Sequence, residues 1–242
     1  IMSQEWKKYP RTPHVSWSGT MSDDDRRLEN INSFIGREVV VTEKLDGEGC
    51  TLYNDGMHAR TLNHTYHPSR AWLQALQAMI ASQIPDGMRI TGENVYAKHS
   101  IHYQSLSSYF YVYGIFENGY CLPWYDVEEI CQYMTYSLKV RNKYLGDQVQ
   151  TFHLETVPVL YRGIWDEEKV KSCYTGVSKF GGEQEANVVR IAAGIVDVLF
   201  PLSVAKMVRP NHVIENDEHW MSKQVIPNIL ERSSIENLRT IE

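Results

Sequence analysis

The chain has 242 residues, 43% hydrophobic and 22% charged, with a formal net charge of −6. That is a globular composition, long enough for one substantial domain. The acidic balance excludes a protein that coats nucleic acid through bulk positive charge, while leaving room for a local basic groove.

Four scattered cysteines, Cys50, Cys121, Cys131 and Cys173, form no Cys-x-x-Cys pair and read as free thiols rather than a disulfide frame or zinc site. No apolar run approaches the roughly 18 residues of a membrane span, so a soluble, intracellular protein without membrane association is expected.

The opening, Lys7-Lys8-Tyr9-Pro10-Arg11-Thr12-Pro13-His14, is extended by its prolines and reads as a surface arm. Ser22 followed by Asp23-Asp24-Asp25 predicts an N-cap and acidic first turn for a short helix to about Asn30, so residues 1–36 are expected to form an arm and a helix. The β-branched run Val39-Val40-Val41-Thr42 predicts a buried strand that delivers Lys44 at its end. Asp46-Gly47 and Gly49 mark a turn into a second strand-like run. A lysine held beside a buried strand end loses its proton more easily than one in water, and the neutral amine is a nucleophile.

Gly56 to His64 predicts a strand leaving a turn, with Arg60 its basic residue. His64 and His67 read as loop histidines, since no carboxylate or cysteine stands at metal spacing. His67 to Ala81 predicts an amphipathic helix with Trp72, Leu73, Leu76, Met79 and Ile80 on one face and Ser69 as N-cap.

Arg89 to His99 contains a strand that carries Glu93 among apolar neighbours, a position costly for a carboxylate unless something pairs with it. Tyr109 to Phe116 is a strand of β-formers, and Asn118-Gly119 a hairpin turn. Pro123 to about Val140 predicts a second helix burying Val127, Ile130, Cys131, Met134 and Leu138. A strand at 157–163 and a short helix at 166–172 follow. Glu185 precedes a strand ending at Arg190, and residues 203–210 form a last strand. Alternation there aims Lys206 and Arg209 at opposite faces. A helical tail is expected over 212–242.

Glu43-Lys44-Leu45-Asp46-Gly47 resembles the Lys-x-Asp-Gly motif of the covalent nucleotidyltransferases: ATP-dependent DNA ligases, RNA ligases and mRNA capping enzymes. Arg60, Gly92-Glu93-Asn94, Phe110-Tyr111-Val112-Tyr113, Glu185 with Val188 and Arg190, and Lys206 follow in the order and rough separations of that family's motifs. The resemblance runs from Tyr9 to Arg209. It is closest to the RNA-ligase branch, through Gly-Glu-Asn, the Phe-Tyr-Val-Tyr strand and the opening Tyr-Pro-x-Thr-Pro-His. Gly114, Ala186 and Val208 depart from the family pattern.

The resemblance implies an α+β fold in which two antiparallel β-sheets form a nucleotide cleft with flanking helices. It implies one free-standing adenylyltransferase domain over 1–242, monomeric and without an added OB domain. Lys44 would attack the α-phosphate of ATP and carry AMP as a phosphoramidate. Glu43 would contact the adenine edge, Glu93 the ribose and Tyr113 the face of the base. Arg60 would lie near the phosphates or the nucleic-acid end, Glu185 would bind Mg2+ or Mn2+, and Lys206 with Arg209 would reach the α-phosphate. AMP would then pass to the 5′-phosphate end of an RNA, and a neighbouring 3′-hydroxyl would displace it and seal the strand. This chemistry asks for a Lys44 amine tuned to about 7–8, pushed down by Lys206 and magnesium. A DNA ligase core, a GTP-using capping-type enzyme and a non-catalytic nucleic-acid-binding relative stay open.

Overall fold

The computed structural model describes residues 4–62, 66–142, 144–212 and 220–231. In chain order the elements are β1 (Glu38–Lys44), β2 (Glu48–Tyr53), β3 (Gly56–His58), α1 (Ala71–Ile80), β4 (Met88–Asn94), β5 (Phe110–Glu117), β6 (Tyr120–Cys121) and α2 (Trp124–Tyr133). Then come β7 (Thr135–Asn142), β8 (Gly146–His153), β9 (Glu155–Thr156), β10 (Val159–Ile164), α3 (Glu167–Ser172), β11 (Ala186–Ile191), β12 (Ile195–Val196), α4 (Phe200–Ser203) and β13 (Val204–Val208).

One sheet runs β10-β1-β11-β13; the second runs β12-β6-β5-β4-β2-β3, with β9 beside β5. All pairings within them are antiparallel except β5 with β9. The fold is therefore mixed α and β with antiparallel sheets, as the resemblance implied. β7 and β8 pair as a separate hairpin.

β1 is apolar on consecutive residues because both its faces are buried. Val40 joins the main core cluster, with Leu45, Leu52, Ile90 and Val112. Val39 and Val41 face an outer cluster with Phe34, Val170 and Val189. Arg190 crosses from β11 toward the second sheet. It donates to the carbonyls of Leu122 (2.8 Å) and Ala193 (3.3 Å) and packs over Trp124, so it is a buried clamp and not a cleft residue.

Four expectations are corrected. Residues 22–30 do not form a helix: the Asp25 carboxylate accepts from Ser22 N–H (3.0 Å) and Ser22 Oγ (2.9 Å), closing a turn locally. The helix expected from Pro123 stops at Tyr133, and Leu138 lies on β7. Met134, Tyr136 and Leu138 are buried at a spacing of two, while Thr135, Ser137 and Lys139 are exposed; that period belongs to a strand. His67, not Ser69, caps the short 3-10 turn before α1. The strand expected from Gly56 ends at His58; His64 lies outside the described residues.

The expected helical tail is only partly described. From Trp220 it makes one helical turn and then runs irregularly along residues 95–106. There Asn228 donates to Val95 O (2.8 Å) and accepts from Tyr103 N–H (2.9 Å). Among the described residues, no helix is long and apolar enough to cross a membrane.

Candidate active site

β1 belongs to the first sheet and β2 to the second, so the turn between them stands where the sheets meet. Lys44 is the last residue of β1, paired with Ala186 at the start of β11. The turn is tight: a Cβ on Gly47 would sit 2.4 Å from Asn94 O. Only glycine lets the end of β4 come this close. Asp46 is fastened on its other side, its carboxylate accepting from Ser100 Oγ and Ile101 N–H (2.7 Å each).

Two glutamates converge on this turn. Lys44 Nζ donates to Glu185 Oε1 at 2.7 Å; the two side chains are 32% and 6% exposed. Glu93, across from Gly49 in the β2–β4 ladder, accepts from Gly47 N–H at 3.1 Å. Lys44, Glu185 and Glu93 thus stand together.

The charge state of Lys44 differs from expectation. Burial pulls its pKa down, but Glu185, Glu93 and Asp46 together outweigh that, and it is raised rather than lowered. Without a ligand the amine is a charged partner of carboxylates, not a free base. Burial pushes Glu93 up to about 8, with Lys44 opposing and Glu185 reinforcing.

A carboxyl at about 8 when folded and near 4.5 when unfolded contributes stability that is full below 4.5 and lost as pH rises toward 8. Glu93→Gln removes that slope. The variant is expected to melt above the parent at pH 8, by roughly 1–3 kcal/mol in unfolding free energy, and to match it near pH 4.5. Melting curves across that range check it.

Tyr113 reaches the cleft through a β-bulge. β5 pairs Val112 with Gly92 and Gly114 with Thr91, leaving Tyr113 as the extra residue. Bulges re-aim side chains, and here the ring comes near Gly49, whose added Cβ would lie 3.1 Å from the phenol oxygen. Tyr9 packs edge-on against it, centroids 4.9 Å apart, and also against Phe116 and Phe200. The opening segment is therefore partly core rather than only a surface arm. Arg60 is exposed, close enough for its charge to act on Glu93 and Tyr113.

Lys206 pairs with Val188, which pairs with Thr42, two residues before Lys44 on β1. Alternation places Lys206 on the Lys44 face of the sheet. Its charge acts on Lys44 and Glu185, but its direct partner is Asp25, at 3.1 Å. Arg209 lies beyond β13 and pairs with Glu183 at 2.5 Å. Alternation turns Glu43 away from the Lys44 face. There Glu43 Oε2 accepts from Lys179 N–H at 3.0 Å; its side chain is not brought to the cluster.

Two contributors carried no site assignment from the sequence. Asp46 lay within the recognised motif. His212 had no signal at all, yet its Nε2 stands 3.4 Å from Glu185 Oε1. Single ligand atoms of Asp46, Glu185 and His212 all lie within 4.8 Å of one another. Among the described residues, Glu185 Oε2 is buried without a hydrogen-bond partner. Two carboxylates and an imidazole with an orphaned oxygen suit a divalent cation of the Mg2+ or Mn2+ class.

No curated protein matches the chain. Among solved structures, Naegleria gruberi RNA ligase with PPi aligns at a TM-score of 0.50 and 17% identity, covering 84% of this chain and 61% of that one. The same ligase with ATP and Mn aligns at 0.47 and 16%, covering 85% and 62%. This chain therefore spans about three fifths of the length of those structures, and at such identity the likeness concerns the fold. A family model described as RNA ligase matches residues 37–208. That span runs from the residue before β1 to the end of β13 and takes in Lys44, Glu93, Tyr113, Glu185 and Lys206: the chain belongs to the RNA ligase family.

Proposed function

We propose that the protein is an ATP-dependent RNA ligase working through a covalent Lys44–AMP intermediate. The observation that carries this reading is the 2.7 Å contact of the Lys44 amine with a buried glutamate at the junction of the sheets.

Lys44 Nζ, having released a proton to solvent, bonds to the α-phosphorus of ATP as the bond to the bridging oxygen breaks and pyrophosphate leaves. Tyr113 lies along the base, Glu93 takes the ribose hydroxyls, and Lys206 neutralises α-phosphate charge from its place on β13. Arg60, at the rim, meets phosphates or the RNA end, and Arg209 is the second basic residue that would reach the α-phosphate. Asp46, Glu185 and His212 would hold a divalent cation, which would supply neutralisation of phosphate charge. The AMP then passes to a 5′-phosphate RNA end, and a 3′-hydroxyl displaces it and seals the strand, a reaction suited to RNA repair.

Intact mass after incubation with ATP and magnesium tests the first step. A gain of one AMP, lost in acid, is expected; label from GTP and not ATP would reassign the protein to a capping-type reaction. Nicked RNA and DNA duplexes offered side by side test the acceptor, with RNA expected to be sealed. Tyr113→Ala is expected to raise the ATP concentration for half-maximal labelling about tenfold, with Tyr113→Phe near the parent, because base stacking contributes roughly 1–3 kcal/mol. Titration of ATP in the labelling reaction measures it.

A further inference from the structure

The edge of β13 that β11 leaves open is covered by the N-terminal segment. Lys206 N–H donates to Pro13 O (2.8 Å), Val15 N–H to Lys206 O (2.9 Å) and Gly19 N–H to Val208 O (2.9 Å). This backbone lacing sets His14 beside Lys206. A chain of side chains follows: Lys206 Nζ lies 3.1 Å from Asp25 Oδ1, and Asp25 Oδ2 lies 3.1 Å from His14 Nε2. His14 Nδ1 is 2.6 Å from Ser18 Oγ, which accepts from Val208 N–H at 3.0 Å. The circuit starts on a side chain of β13 and returns to its backbone.

An incidental surface ion pair is not built this way. His14 is 1% exposed and Ser18 8%. Asp25 is half-buried, while its neighbours Asp23 and Asp24 are exposed. Burial holds the His14 pKa below its ordinary value, so the ring is neutral near pH 7. His14 Nε2 approaches Asp25 Oδ2 without hydrogen-bond geometry, while Nδ1 shares a hydrogen bond with the Ser18 hydroxyl. Asp25 is also fixed by Ser22 N–H and Oγ. Burial lowers the Lys206 pKa and Lys44 pushes the same way; Asp25 is the largest opposing influence. An ammonium has three donors, so one on Asp25 leaves two for a ligand.

We propose that Asp25, fixed by Ser22 and packed against His14, is a positioning residue that holds Lys206 as an ammonium aimed into the nucleotide cleft. This rests on the reading of Lys206 as the α-phosphate contact. Asp25 touches no reacting atom; it acts through the lysine.

A double-mutant cycle tests it. Asp25→Asn is expected to slow AMP transfer to Lys44 about 10- to 30-fold at saturating ATP, with Asp25→Glu recovering most of the rate. In a Lys206→Ala background, Asp25→Asn is expected to cost nothing further. Damage unrelated to the lysine would slow both backgrounds alike, and that result overturns the proposal. A second measurement needs no activity: acetic anhydride labelling of the Lys206 amine, read by peptide mass spectrometry near neutral pH, is expected to rise several-fold in Asp25→Asn. Unchanged Lys206 labelling also overturns the proposal. If the parent takes up no AMP while Lys206 labelling still rises, the ligase reading falls and the Asp25–Lys206 coupling stands.

Discussion

Lys44→Ala is expected to take up no AMP, a loss of roughly 10^4-fold or more in the rate of covalent labelling. The same loss is expected of Lys44→Arg, which keeps a positive charge beside Glu185 but offers no nucleophilic amine at neutral pH. The pair of variants separates two roles of one side chain. In the unliganded protein Lys44 is the counter-charge of Glu185, 2.7 Å away. Alanine leaves a buried carboxylate without its partner, so Lys44→Ala is also expected to lose about 1–2 kcal/mol of stability at pH 7. Arginine should lose less. Labelling followed by intact mass, with melting curves of each variant, reads both effects. An arginine variant that still carried AMP would sink the covalent mechanism.

Glu185→Gln is expected to slow AMP transfer about 100-fold, and to do so while making Lys44 a better base. The two effects have opposite signs and separate origins. The Glu185 charge is the largest influence raising the Lys44 pKa; an uncharged amide removes it, so the amine is neutral more often and reacts faster with an acylating reagent. The same substitution removes one of the two carboxylates that could hold a cation with His212, and with it the neutralisation of phosphate charge that the transfer requires. The loss should be partly recovered by raising manganese, and the metal concentration for half-maximal labelling should move upward. A variant slower toward both ATP and the acylating reagent would mean that Glu185 acts only by holding the turn in shape.

Together these results would describe a site held in a resting state by its own charges. The carboxylates around Lys44 hold its amine protonated in the unliganded protein.

Much of the local structure was legible in the residues. The valine run of β1, the Asn118-Gly119 hairpin and the Trp72, Leu73, Leu76 face of α1 follow from side-chain shape and periodicity alone. Misreadings came where one spacing serves two periods. Met134 and Leu138 are four apart, as on a helix, but Tyr136 between them is buried too, and the two-residue repeat prevailed. At Ser22 the cap signal was real, but Asp25 accepted the bonds itself and no apolar helix face followed. His212 and Asp25 were invisible as site residues because nothing near them in sequence is their partner. They meet Glu185 and Lys206 only through strand pairing and a laced N-terminus.

The sequence by itself determined the chemistry on offer: one lysine at a strand end, a glycine turn behind it, and glutamates, an aromatic and a second lysine in family order. Those are properties of side chains and short-range backbone geometry. Only the tertiary structure decided which carboxylate takes the lysine, since Glu185 is 141 residues away. It alone decided where Tyr113 points, because a bulge set by the partner strand aims it, and what charge Lys44 carries. Burial and Coulomb interaction depend on distance in space, and distance in space does not exist until the sheets have closed on each other.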